Sequence, residues 1–236
     1  MPPMTIDEEL LLLDTYFKVI KTTDETLKHL FIEDLSDTLR NLNFFPKYRG
    51  NETFRNTTGM SLMLMNIDYV VKGKWSKDKI SKTKQEILDR YQEDKTLLHN
   101  VSQAIKHIAT LQNCPDFYSE INSKFLGGNL LLNYHKFIET KSTLAKGIIN
   151  DSLIDNECRC SVCLHNLTAT FGKNAVSLIE LHFCAPINWY TAQATPMTNQ
   201  FKLFCPTCHK LAHSDVIMLS KVQLERSINP RTQNDV

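Results

Sequence analysis

Cysteine and histidine residues are concentrated in the last third of the chain, where their spacing is that of metal ligands. Two Cys-x-x-Cys pairs are present, Cys160 with Cys163 and Cys205 with Cys208. Two such pairs can bring four thiolates onto one tetrahedral zinc ion, with Zn–S bonds of about 2.3 Å. The thiol of Cys158 is an alternative to Cys160, because both precede Cys163, although Cys-x-x-Cys is the usual knuckle spacing. The sequence therefore predicts a structural zinc site.

Three histidines form a second possible metal site in the same region. His209 and His213 are four residues apart, so they should lie on one face of a predicted helix, and His182 is in a segment predicted as a strand. Three imidazoles that leave coordination positions open are typical of a catalytic divalent metal. The candidates for that metal are Mg²⁺, Mn²⁺, Ni²⁺, Co²⁺ and Zn²⁺.

The order of these motifs resembles the HNH (ββα-metal) nucleases, and in detail the zinc-stapled branch found in McrA-type restriction endonucleases. The first Cys pair is followed by Ile-Glu-x-His-x-x-x-Pro-Ile at 179–187 and by Cys-Pro-x-Cys-His-x-x-x-His at 205–213. The resemblance implies a ββα-metal domain in which His182, His209 and His213 hold one metal against a scissile phosphodiester. It also makes Glu180 a carboxylate that orients a neighbouring ligand.

The chain departs from the family pattern at two positions. The family usually has a second histidine directly after the first, where it serves as the general base, and this chain has Phe183 there. The asparagine that often orients the base corresponds to Asn199 or Gln200, and we assign the role to Gln200. A general base contributes about 10²–10⁴-fold in rate, so we expect weak or conditional hydrolysis. A histidine at position 183 is then expected to raise cleavage.

A lysine-rich segment in the first half of the chain predicts a DNA-binding surface. Lysines surround one tryptophan there, which suits contacts to the phosphate backbone combined with base stacking. A run of charge can also be an ordinary solvated face, but basic and polar residues upstream favour the DNA-facing interpretation. The residues assigned to this surface are Arg49, Arg55, Asn56, Lys72, Lys74, Trp75, Lys77 and Lys79.

The family resemblance extends into this region. Glu8-Glu-Leu, the segment 35–40 and Phe-Arg-Asn-x-x-Gly-Met at 54–60 resemble the N-terminal domain that accompanies the HNH module in McrA-like proteins. The resemblance implies that this domain binds DNA, and in some members of the family it senses modified cytosine.

Composition limits the class of protein. The 236 residues are 42% hydrophobic and 22% charged, which fits one large or two small globular domains. The net charge is +1, so attraction to DNA would depend on local clusters of charge. The first residues are acidic where a secretion signal would be basic, and no stretch approaches the roughly 20 apolar residues needed to cross a bilayer. Seven cysteines with two zinc-type pairs fit a reducing compartment. We therefore expect a cytoplasmic protein that does not enter a membrane.

The predicted architecture is α+β, with a mainly helical DNA-binding domain at 1–140 and a zinc-stapled HNH domain at 141–236. A capping box at Thr5 and Glu8 predicts a helix to about Thr22. Further helices are predicted from residue 23, after a turn at 55–59, at 82–91, at 95–112 and at 136–149.

Two functions follow from these observations. The first is a metal-dependent DNA endonuclease of restriction type, for which modified (methylated) DNA is a candidate target. One metal site per chain would cut one strand, so a homodimer on double-stranded DNA is expected. The alternative is a catalytically impaired HNH protein that reads DNA or a modified base, because Phe183 cannot accept a proton.

Overall fold

A computed structural model describes residues 1–42, 44–48, 50–111, 129–141, 147–149, 158–192, 195–214 and 221–228. The chain divides into two compact units, Met1–Leu130 and Leu131–Val236. This division falls earlier than the boundary predicted at residue 140. Most of the described residues are helical and one two-stranded sheet is present among them, so the fold is α+β. Each helix in the described ranges is too short or too polar to cross a bilayer.

Five α-helices account for most of the described first unit. They are α1 (Ile6–Lys21), α2 (Glu25–Asn41), α3 (Thr57–Val71), α4 (Lys82–Tyr91) and α5 (Lys95–Leu111). The central helix is α1, which packs against all four others. Its four consecutive leucines, residues 10–13, are all buried, so it contacts neighbours on every side rather than along one stripe.

The start of α1 confirms the predicted capping box. The Glu8 amide donates to the Thr5 hydroxyl at 3.3 Å, and the Glu8 carboxylate accepts from the Thr5 amide at 2.7 Å. In α2 the N-cap is Asp24, and apolar residues in its first turns are exposed. Leu27 and Leu30 are 38% and 53% exposed. Burial in α2 is concentrated in its second half.

Arg55 is a buried structural residue, which corrects its assignment to a DNA-facing surface. Its guanidinium forms a two-point ion pair with Glu8, at 2.7 and 3.1 Å, and also donates to the carbonyls of Pro2 and Pro3. The side chain is 3% exposed and is therefore out of reach of a phosphate backbone. The turn predicted ahead of α3 is present, because Arg55 has a φ of 48° and Asn56 caps the helix.

The second unit contains a strand–strand–helix arrangement with short helices around it. Its elements are α6 (Leu130–Lys141), α7 (Leu167–Phe171), α8 (Ala175–Leu178), β1 (Glu180–Phe183), β2 (Phe201–Phe204), α9 (Pro206–Ala212) and α10 (Lys221–Ile228). The helix predicted at 136–149 starts earlier, at Leu130, and 142–146 lie outside the described residues.

Strands β1 and β2 pair antiparallel, with Leu181 opposite Leu203 and His182 opposite Lys202. Phe204, at the end of β2, is fully buried in a core that includes Ile179 and Leu224. Helix α9 begins directly after this strand. The short distance along the chain between β2 and α9 fixes which residues of the helix face the sheet.

Candidate metal centres

Four cysteines meet at one point in the second unit. The sulfur atoms of Cys160, Cys163, Cys205 and Cys208 all lie within 4.8 Å of one another, and Cys163 Sγ is 3.8 Å from Cys205 Sγ. A tetrahedral zinc ion with bonds of about 2.3 Å places its sulfur ligands about 3.8 Å apart. The set therefore has the dimensions of a zinc site. Cys158 is buried nearby but is not a member, so the geometry selects Cys160.

Backbone amides support the two Cys pairs. Val162 N donates to Cys160 Sγ and Cys208 N donates to Cys205 Sγ, each at 3.5 Å. Burial alone would raise the pKa of the Cys160 thiol, but amide donors from both pairs lower it. The turn after the first pair is completed by Leu164 in a left-handed conformation, with a φ of 61°. Amide donors to sulfur favour the thiolate, which is the form that binds zinc.

The three predicted histidines are brought together by β1 and α9. The ring centroid of His182 is 5.4 Å from that of His209 and 5.1 Å from that of His213, and the latter two rings are 4.6 Å apart. Atoms Nε2 of His209 and His213 are separated by 3.0 Å. The three rings are therefore neighbours, but the group whose ligand atoms all lie within 4.8 Å of one another includes His182 and His213 and leaves out His209.

Helix α9 links the two candidate centres. Cys205 is its N-cap, Pro206 occupies its first turn, and Cys208 is followed directly by His209. His213 is the C-cap residue, one helical turn after His209, so both rings lie on the same side. Because the helix has only seven residues, metal bound at its cysteines would fix the orientation of its histidines.

Glu180 lies against His209 rather than against His182. Its Oε2 atom is 2.5 Å from His209 Nδ1. Burial alone would lower the pKa of His209, but hydrogen bonds and charge from Glu139 and Glu180 raise it. The Glu180 side chain is 45% exposed and that of His209 is 19% exposed. This pair therefore forms the solvent-accessible edge of the site.

The structure adds two residues that the sequence analysis did not single out. Helix α6 supplies His135 and Glu139, which are four residues apart and reach the same point. Glu139 Oε1 lies 2.8 Å from His135 Nε2 and 2.8 Å from His182 Nδ1, and Oε2 lies 3.2 Å from both His209 Nε2 and His213 Nε2. We call Glu139 and these four histidines the His–Glu cluster.

Burial sets the protonation of the His–Glu cluster. It lowers the pKa of His135 to about 4 and also lowers the pKa of His182, which favours neutral rings at pH 7. Burial alone would raise the pKa of Glu139, but the surrounding imidazoles lower it well below its usual range. A carboxylate beside the neutral rings of His135 and His182 is the electrostatic setting of a cation site.

The ring of Phe183 lies in an aromatic core at the edge of the His–Glu cluster, 6.0 Å from the ring of His135 between centroids. Its ring packs against those of Trp189 and Phe201, with centroids 4.7 and 5.0 Å away, and it is 1% exposed. Its backbone amide instead donates to Glu139 at 2.9 Å. The backbone of residue 183 supports the cluster while its side chain belongs to the core.

Gln200, assigned to orient a base, has a local structural role instead. Its Oε1 atom accepts from the Met197 amide at 2.8 Å, and its carbonyl accepts from the Cys184 amide at 2.6 Å. The side-chain amide is used to close its own turn, and this corrects the catalytic assignment.

The residues predicted to bind DNA differ in their contacts: three of the lysines form ion pairs, one lies near an aromatic ring, and Asn56 caps a helix. Lys72 pairs with Asp68, Lys77 with Asp89, and Lys79 with Asp78, all with the lysine side chains more than half exposed. The Lys74 ammonium lies 5.2 Å from the ring centroid of Tyr69, which also contacts Trp75. The oxygen of the Asn56 side chain accepts from Gly59 as a helix cap, and Arg49 lies outside the described residues.

Comparisons with known proteins give no assignment. No protein-family model, curated protein or solved structure matches the chain.

Proposed function

We propose that the protein is a metal-dependent DNA endonuclease of the HNH type, and that the His–Glu cluster is its hydrolytic centre. The observation that carries the proposal is that the ring centroids of His182, His209 and His213 lie within 5.4 Å of one another in a strand–strand–helix unit. These residues were selected from their spacing in the sequence together with the family resemblance.

Each group of the proposed centre has a distinct task. A bound divalent metal would neutralise charge on the phosphate as the 3′ oxygen leaves. Glu180 holds the ring of His209 at the accessible edge, so that Nε2 faces the other imidazoles. The buried rings of His182 and His213 fix the inner side of the centre. Phe183 excludes water behind β1 but cannot move a proton.

Zinc at the four cysteines would be structural in this proposal. Such sites are closed by four protein ligands, whereas catalytic zinc sites keep an open position. Thiolate ligands persist in a reducing compartment, and we therefore place the protein in the cytoplasm.

The proposal also names a substrate and an oligomeric state. We propose double-stranded DNA as substrate, methylated cytosine as a candidate determinant, and a homodimer as the form that cuts both strands. The exposed residues Lys72, Lys74, Trp75, Lys77 and Lys79 are the proposed DNA-facing surface of the first unit.

The test uses matched unmodified and cytosine-methylated duplexes with Mg²⁺, Mn²⁺, Co²⁺ or Ni²⁺. Wild-type protein should cut at least one duplex with at least one metal, and His213→Ala should bind DNA equally but not cut. Cleavage that survives His213→Ala would reject the His–Glu cluster as the centre.

A DNA reader without nuclease activity is the second candidate, and the packing of Phe183 favours it. The ring fills an aromatic core at the position where the resemblance implies a base. Binding of methylated DNA with no cleavage under any of the four metals would support the reader and reject the nuclease.

A further inference from the structure

The face of α6 that carries His135 and Glu139 is unusual because it places a carboxylate and an imidazole in a protein interior. The two side chains are 1% and 3% exposed. Buried ionised groups are rare unless they are paired or bind metal. Their position therefore requires a partner of positive charge or a set of well-formed hydrogen bonds.

Hydrogen bonding does not satisfy the buried nitrogens. His135 Nε2 and His182 Nδ1 each lie 2.8 Å from Glu139 Oε1, yet neither nitrogen has a hydrogen-bond partner of acceptable geometry. The nitrogen–oxygen distances are short enough for hydrogen bonds, but the angles at the nitrogen and oxygen atoms do not meet hydrogen-bond geometry. A buried ring nitrogen without a hydrogen-bond partner can instead offer its lone pair to an ion.

The distances within the His–Glu cluster match those between ligands of one ion. With metal–ligand bonds of about 2.1 Å, ligand atoms lie about 3.0 Å apart at right angles and about 3.4 Å apart at the tetrahedral angle. Glu139 oxygens lie 2.8, 2.8 and 3.2 Å from the nearest nitrogens of His135, His182 and His213. The ligand atoms of these four residues all lie within 4.8 Å of one another.

Groups behind the ligands are placed to hold them in this arrangement. The hydroxyl of Tyr190 lies 2.5 Å from His135 Nδ1. If that nitrogen carries the proton and donates it to the hydroxyl, Nε2 keeps its lone pair for an ion. The amide of Phe183 donates to Glu139 Oε1 and restrains the carboxylate. Metal-binding imidazoles are commonly oriented by a partner on the other ring nitrogen.

We propose that His135 and Glu139 are metal ligands, which together with His182 and His213 form a buried three-histidine, one-carboxylate site. This inference rests on the proposed function only in locating the metal at the same cluster, and it does not require DNA cleavage. The donor set selects Zn²⁺, Co²⁺, Ni²⁺ or Mn²⁺ over Mg²⁺, because imidazole nitrogens suit transition metals. His209 lies at the edge of this site and contributes less to affinity.

The test is Co²⁺ binding to the full-length protein, followed by visible absorption and by elemental analysis. Cobalt in this site lacks the thiolate charge-transfer band of cobalt at the four cysteines, so the two sites are distinguished. Glu139→Gln should weaken cobalt binding at the His–Glu cluster by more than about 100-fold. Loss of a residue that only hydrogen-bonds a metal ligand typically costs about 10–100-fold in metal affinity. Tyr190→Phe should fall within that smaller range. Lys136→Gln, on the exposed side of α6, is the matched control.

The variant His209→Ala makes the proposal falsifiable even if Glu139→Gln fails to fold. His209 is partly exposed, and its loss should reduce cobalt affinity by less than about tenfold. A loss of cobalt with His209→Ala, or wild-type affinity in a folded Glu139→Gln, would overturn the proposed ligand set. DNA cleavage is measured on the same samples. Cobalt binding as proposed without cleavage rejects only the nuclease, whereas cleavage with cobalt retained in Glu139→Gln rejects only the ligand set.

Discussion

At the scale of single residues, the role that the motif implies for position 183 differs from the role of the Phe183 side chain in the structure. By alignment with the motif it occupies the position of a general base, and a histidine there was expected to raise cleavage. In the structure its ring lies in an aromatic core with Trp189 and Phe201. An imidazole in that place would be buried among aromatic rings, away from solvent. We therefore no longer expect a histidine at position 183 to raise cleavage.

We predict that Phe183→His destabilises the second unit by about 2–4 kcal/mol, because it loses packing and buries a polar ring. It should leave any cleavage rate unchanged or lower. Urea unfolding and plasmid nicking check the two parts, with Phe183→Leu as the apolar control. A rise in cleavage of about 10²-fold or more would show that position 183 does reach the substrate.

Asp7 gives the first unit a predictable pH dependence. Burial raises its pKa to about 7 from 3.8, although amide donors at 129 and 130 act in the opposite direction. The folded state therefore binds this proton more tightly than the unfolded state. The resulting stability is fully present below about pH 4 and is lost as pH rises through about 7.

We predict that Asp7→Asn removes this slope. Relative to the variant, wild-type stability should fall between pH 4 and 7 by on the order of 3 kcal/mol, measured by urea unfolding at several pH values. A difference between the two proteins that stays constant with pH would contradict the assignment.

At the scale of elements, α9 depends on its cysteines. Seven residues are too few for a stable isolated helix, so its geometry must come from β2 and, in our proposal, from zinc at Cys205 and Cys208. A structural zinc site can supply on the order of 10 kcal/mol of folding free energy.

We predict that Cys208→Ala abolishes zinc binding at the four cysteines and unfolds the second unit. In a Trp75→Phe background, Trp189 reports on this unit alone, since the sequence has two tryptophans. Its fluorescence should shift to that of an exposed indole. Cys184→Ser is the control, because Cys184 is outside the four-cysteine set, and an equal loss of zinc there would contradict the account.

The sequence predicted some helices and the four cysteines well, but it predicted only part of the His–Glu cluster. The capping box, α4 and α5 were predicted with their bounds nearly correct, because caps and apolar spacing are local signals. Motif spacing also found the cysteines and three histidines. His135 and Glu139 were missed because their spacing on α6 resembles any buried helix face, and only tertiary packing brings them to His182. Arg55 was misassigned because its partner, Glu8, is remote in sequence.

At the scale of the whole molecule, a net charge of +1 provides little general attraction to DNA. Binding would then depend on the exposed lysines around Trp75, which is itself 39% exposed. Several of these lysines have acidic neighbours, and each such ion pair would be exchanged for a phosphate contact.

We predict that replacing Lys74 and Lys79 together with Gln weakens DNA binding and lowers the slope of log affinity against log salt by about 2, one for each lost phosphate contact. Fluorescence anisotropy at several salt concentrations measures the slope. Lys21→Gln, exposed at the end of α1, should leave it unchanged. An unaltered slope in the double variant would place the DNA surface elsewhere.

Nicking of supercoiled plasmid as a function of Mn²⁺ concentration tests the central claim most directly, because it joins the metal, the His–Glu cluster and the reaction in one experiment. The account predicts that the wild-type rate saturates at the Mn²⁺ concentration that fills the cluster, and that His182→Ala, with zinc still at its cysteines, gives no nicking at any concentration. Nicking by His182→Ala at the wild-type rate, or a wild-type rate independent of metal, would contradict it.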